Sequence, residues 1–114
     1  MSPTTRSVAL IGAPTDIGAG HRGSSMGPEA LRVARLAERL ARRGMHVVER
    51  GNQSGPRNPW QPPVDGYRHL DEVVAWNTSV HEAIHAALAE GHLPIMLGGD
   101  HCLAIGSISA VARH

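Results

Sequence analysis

Apolar positions along the chain alternate between short unbroken runs and longer stripes at helical spacing. Ser7 to Gly12 is a continuous apolar run closed by glycine, the pattern of a strand covered on both faces in a parallel sheet. A glycine-rich loop from Ala13 to Gly27 follows. Pro28 then opens a helix where its missing N–H costs nothing, with Glu29 complementing the dipole. Along this helix Leu31, Ala34, Leu36, Ala37, Leu40 and Ala41 form the apolar side, and arginines occupy most of the other. Gly44 is placed to end it. Met45 to Val48 reads as a second strand, with Glu49 and Arg50 at its end. Gly51 to Pro63, with four prolines, reads as an irregular surface excursion. From His69 to Glu90 a second helix carries Leu70, Val73, Val74, Val80, Ile84 and Leu88 on one stripe, and Gly91 stops it. Leu93 to Leu97 is a third strand, Gly98 to His101 a turn, and a last helix runs to the final residues.

Strand–helix repeated three times predicts an α/β fold with a parallel sheet and right-handed crossovers. The last helix has no cap signal and three strands make a small sheet. The 114 residues are therefore expected to form the N-terminal part, 1–114, of a single longer α/β domain.

Composition narrows the function classes. The formal charge is +1 with both signs mixed, which leaves no electrostatic footprint for nucleic acid or an anionic membrane. Cys102 is the single cysteine, so no intrachain disulfide forms and a reducing compartment is the default. No apolar run reaches the roughly 20 residues that span a bilayer, and Met1 to Arg6 lacks the apolar segment of a secretion signal. The expectation is a soluble, cytoplasmic protein.

Three segments carry candidate chemistry. Gly18-Ala19-Gly20-His21-Arg22-Gly23 matches G-x-G-x-x-G, and Glu49 ends the second strand, as in a dinucleotide fingerprint. Its placement argues against that role, because Pro14 to Ile17 separate it from the strand and the helix waits until Pro28. His81-Glu82-Ala83-Ile84-His85 matches H-E-x-x-H. A zinc protease needs a third ligand, and Leu88 stands where the extended motif needs glycine. These histidines read as surface residues flanking a core stripe. The third segment is Leu93 to His101. A buried strand runs into Gly98-Gly99, then Asp100 and His101 emerge at its C-terminal end, where open α/β sheets place their sites. With strand order 2-1-3, His101 and the Ala13–Gly27 loop share one crevice. Asp100 is placed either to bond an imidazole N–H or to support the loop, and a structural histidine at a turn is the plainer reading of His101.

Leu97-Gly98-Gly99-Asp100-His101-Cys102-Leu103-Ala104-Ile105-Gly106-Ser107-Ile108-Ser109 resembles the first metal motif of the ureohydrolases, and its tail is most like arginases. Ile11-Gly12-Ala13-Pro14, Arg22-Gly23 and Met26-Gly27-Pro28-Glu29-Ala30-Leu31-Arg32 are similar to that family's opening unit, in the right order. The resemblance implies a three-layer αβα fold, two manganese ions, and manganese-dependent hydrolysis of the guanidinium of L-arginine to L-ornithine and urea. Agmatinase activity is the alternative within the superfamily. It implies a small guanidino substrate and a homo-oligomer, trimer or hexamer, in the full-length form. It carries the metal-ligand role to His101, with Asp100 behind it and Gly98 and Gly99 as the site loop. The family's further ligands, an Asp-x-His-x-Asp motif and a later Asp-x-Asp motif, do not occur here, so the isolated chain is expected to be inactive. Cys102 stands where the family commonly has a serine able to cap the next helix. It reads as a small buried residue, or beside a cation as a reactive thiol.

Overall fold

The computed structural model describes residues 6–114. Strand β1 spans Ser7–Ala13, helices α1 and α2 span Gly27–Val33 and Leu36–Arg42, and strand β2 spans His46–Asn52. Helix α3 spans Leu70–Ala89, strand β3 Leu93–Gly98, and helix α4 Ala104–Arg113. Single 3-10 turns precede α1 at Ser24–Met26 and α4 at His101–Leu103.

The sheet order is β2-β1-β3, all parallel, as the site argument required. The central strand is buried along nearly its whole length, which is why it reads as an unbroken apolar run. Its alternate residues Ala9, Ile11 and Ala13 join Trp76, Val80, Ile84, Ala87, Leu103 and Ala110 in one core. Val8 and Leu10, equally buried, face the opposite side. Helices α3 and α4 pack on the face of Ala9, Ile11 and Ala13, and the right-handed crossovers usual for parallel strands put α1 and α2 on the other, in helix–sheet–helix layers.

Three expectations need correction. The single helix from Pro28 is two, broken where Arg35 takes a left-handed conformation (φ 62). Both pieces are tethered separately: Arg32 reaches β2 through Asn52 (2.6 Å) and Glu49 (3.0 Å), while α2 packs on β2 directly. The stripe expected to be core is only partly covered. Leu36, Ala37 and Leu40 are half-buried, and Leu31, Ala34 and Ala41 are exposed. On α3 the buried line is Trp76, Asn77, Val80, Ile84 and Ala87, with Leu70 and Val74 exposed. Pairing with β1 also carries β2 to Asn52, past the expected end at Val48. The rest of the excursion to Pro63 is irregular as expected, and one isolated bridge between Val64 and Tyr67 follows it. Gly91, with φ +86, ends α3 in the conformation a glycine stop signal predicts.

Candidate active-site corner

The site is built where β1 and β3 end side by side, Ala13 pairing with Gly98. Of the two glycines, Gly99 is there for space, whereas a β-carbon on Gly98 would meet only Leu103 at 3.8 Å, an ordinary contact. A β-carbon on Gly99 would run into the Ala13 carbonyl and the Leu103 side chain, and its φ of +82 disfavours other residues. Gly27, at the start of α1, is packed so closely on the Gly98 carbonyl that a side chain there would also collide. The Gly99 N–H reaches the Ser24 carbonyl at 3.3 Å. Two separated sequence motifs, the Met-Gly-Pro-Glu segment and the Gly-Gly-Asp-His turn, are thus in direct contact.

Asp100 fastens the two loops together. Its Oδ2 accepts the Gly18 N–H at 2.7 Å, its Oδ1 accepts the Cys102 N–H at 2.8 Å, and its own N–H donates to the Thr15 carbonyl at 3.0 Å. Of the two roles open to Asp100 on sequence grounds, the structure shows loop support. Hydrogen bonds to an ionised acceptor are roughly twice as strong as neutral ones, so this is the strongest local link between the loops. It also caps the following turn, so that turn is capped without help from Cys102. Thr15, through its hydroxyl to the Ile17 N–H at 3.1 Å, keeps the first loop tight enough to meet Asp100.

His101 follows in the 3-10 turn with its imidazole exposed, beside an open groove lined with Cys102, Ile105, Ile108 and Ser109. Among the described residues no three His, Cys, Asp or Glu side chains gather where they could hold a metal ion together. Cys102 is half-buried, and its thiol is pushed up to about 12 by burial and by the neighbouring Asp100 carboxylate. Its half-buried packing matches the reading of Cys102 as a small packed residue.

The glycine-rich segment is no dinucleotide cradle. Gly18 has given its N–H to Asp100, and the segment leads into a 3-10 turn at Ser24. His81 and His85 lie half-buried along the contact of α3 with α4, as flanking residues should.

Several residues that shape the site were not legible in sequence. Buried His69 bonds the Ile17 carbonyl through Nδ1 (2.8 Å), and its Nε2 accepts the Gln61 N–H (3.1 Å). Asn58 donates to the Asp16 carbonyl at 3.1 Å. Trp76 donates to the Pro56 carbonyl at 2.9 Å, with Gly55 packed on its indole. Together they lay the proline-rich excursion against the loop after β1. The only sequence hint was a mid-helix Trp76-Asn77 pair off the expected stripe.

Comparison with known proteins decides the family. The model of the Arginase family matches residues 6–114. The chain belongs to the arginase family. It is 34% identical over 109 residues to an arginase of Brevibacillus brevis, covering 96% of this chain and 37% of that protein. An arginase of Brucella suis is 36% identical over 105 residues, covering 91% and 34%. In structure, the crystal structure of Bacillus subtilis arginase superposes with a TM-score of 0.85 at 34% identity, over 96% of this chain and 36% of that one. The agmatine ureohydrolase of Thermoplasma volcanium, at 21% identity and a TM-score of 0.58, shares the fold. This arginase-family chain spans about a third of the length of the relatives it matches. Among the described residues no helix is long and apolar enough to cross a membrane.

Proposed function

We propose that this chain supplies one corner of a two-manganese ureohydrolase centre, in a protein that hydrolyses the guanidinium group of L-arginine to L-ornithine and urea. The observation that carries the reading is the Asp100 clamp, which presents an exposed His101 at the C-terminal end of β3 beside the loop after β1. His101 fits the part of a single metal ligand. Both Asp100 oxygens are occupied by backbone N–H groups, so Asp100 acts as the positioning residue behind it. Within the Gly98-Gly99 site loop, Gly99 lets the turn sit close to the loop after β1, and Gly27 lets α1 pack on the Gly98 carbonyl.

The described residues do not form the whole centre, since no group of three ligands gathers. Manganese prefers roughly octahedral, oxygen-rich surroundings, and one imidazole does not hold it tightly. A guanidinium carbon is a poor, already cationic electrophile, and a bound metal pair would supply its hydroxide nucleophile by lowering the pKa of a bridging water. The 114-residue chain alone is accordingly proposed to be inactive. The complete protein is proposed to be cytoplasmic, homo-oligomeric as a trimer or hexamer, and specific for a small guanidino substrate. The lone Cys102, which leaves no intrachain disulfide, supports the compartment, and the relatives named arginase support the substrate.

The test is urea release from L-arginine and from agmatine, with added Mn²⁺, by the 114-residue chain and by the same chain extended to the length of its relatives. The extended protein should release urea from L-arginine, and His101→Ala should weaken its Mn²⁺ affinity tenfold or more. The short chain should release none. Urea from agmatine alone would overturn the arginase assignment. An extended protein inactive on both would favour a non-catalytic role, and tight stoichiometric Mn²⁺ binding by the short chain would overturn the proposed inactivity of the fragment.

A further inference from the structure

The His81-Glu82-Ala83-Ile84-His85 segment is not used by the site above, yet its first imidazole is held in one specific state. Ser109, on α4, donates its hydroxyl proton to the Gly106 carbonyl at 2.9 Å. Its oxygen is therefore the acceptor in the 2.9 Å contact with His81, and the ring proton lies on Nδ1. Nε2 then carries the ring's lone pair, which faces the Arg113 guanidinium at 3.4 Å. An imidazole whose Nδ1–H is held by a neighbouring oxygen, leaving the lone pair on Nε2, is the state in which histidine binds metals.

His85 lies one turn further along α3, on the same face. The two rings are parallel within 5° with centroids 6.3 Å apart, and both are partly open to solvent. Histidine χ2 is a broad torsion, so rotation of the two rings out of their parallel arrangement is the motion that would point one nitrogen of each at a shared ion, at the roughly 2.0–2.1 Å of a metal–imidazole bond. We propose that His81 and His85 form a two-imidazole chelate for a late first-row dication, Cu²⁺ above Ni²⁺ or Zn²⁺, with water completing the coordination. Two neutral imidazoles suit these ions. Mn²⁺, lowest in the affinity order and better served by oxygen ligands, is rejected. His114 packs edge-on against His85 at 6.4 Å, but among the described residues no group of three ligands gathers, so the pair binds metal without forming a three-ligand zinc centre. The Arg113 cation must swing aside, which weakens the affinity. The site stands independently of His101 and of the proposed activity.

The experiment is calorimetric titration of the intact 114-residue chain with CuCl₂, ZnCl₂ and MnCl₂ in turn, with circular dichroism to confirm that each variant keeps its helix content. One Cu²⁺ per chain should bind, Zn²⁺ more weakly, and Mn²⁺ not measurably. His85→Ala and the near-isosteric His85→Asn should each weaken Cu²⁺ binding tenfold or more. Ser109→Ala, which releases the Nδ1 proton, should weaken it about tenfold, whereas Arg113→Ala should tighten it. His101→Ala should leave it unchanged. Absence of Cu²⁺ binding, or binding that survives both His85 variants or disappears with His101→Ala, overturns the proposal.

Discussion

Asp100 is the residue on which the site corner depends most directly. It satisfies two backbone donors from different loops, and truncation leaves both N–H groups without their charged acceptor. Losing such bonds typically costs about 2–4 kcal/mol. Asp100→Ala should lower the urea midpoint accordingly, and Cys102 reports on the same change. Burial first, then Asp100, raises its thiol to about 12 in the folded chain, against about 8.5 when unfolded. A raised thiol stabilises the fold fully below the unfolded value, and that stability is lost as pH climbs from about 8.5 towards 12. At pH 8 the folded thiol should therefore alkylate more than a hundredfold more slowly than the denatured one. Asp100→Ala should speed the folded reaction tenfold or more. Equal alkylation rates in folded and denatured chain would contradict this account. Sequence made Asp100 and His101 visible as a pair. It did not show that the carboxylate serves loops rather than the ring, because Gly18 and Thr15 are remote in sequence.

At the scale of elements, α3 organises more than its own face of the sheet. Its apolar stripe was legible, but it is rotated towards Trp76 and Asn77. The reason is tertiary: Trp76 is the platform for Gly55 and Pro56. Asn77 Oδ1 accepts the Gly106 N–H of α4 at 2.7 Å. A β-carbon on Gly106 would crowd the Asn77 carbonyl at 2.5 Å, so this helix crossing is close because a glycine permits it. Trp76→Ala should cost about 3–5 kcal/mol and release the proline-rich excursion. Tryptic cleavage after the exposed Arg57 should then quicken well beyond that of Trp76→Phe, which keeps an aromatic ring but loses the hydrogen bond, about 1 kcal/mol, and part of the contact with Gly55. Equal cleavage in the two variants would show that the excursion is not held by the indole. The break at Arg35 was not legible, since nothing in its residue type asks for a left-handed conformation.

Over the whole molecule, the sheet has β3 on one edge, and α4 exposes Ile105, Ile108 and Val111 beside it. Unpaired strand edges flanked by apolar surface promote association. The chain should therefore sediment with a concentration-dependent average mass, and Ile108→Lys should shift it towards monomer while leaving the circular dichroism spectrum in place. A sharp monomer at every concentration in the unsubstituted chain would refute the expectation.

Sequence by itself determined the α/β class, the three strands and the place of the Gly-Gly-Asp-His turn. These follow from local regularities: apolar runs for buried strands, helical spacing for crossovers, and glycines where a chain must turn. It also carried the likeness to ureohydrolases. Only tertiary structure decided which faces were covered, where the first helix broke, and what Asp100, His69 and Trp76 hold. Those outcomes depend on hydrogen bonds and contacts between residues twenty to eighty or more positions apart, about which no local pattern carries information.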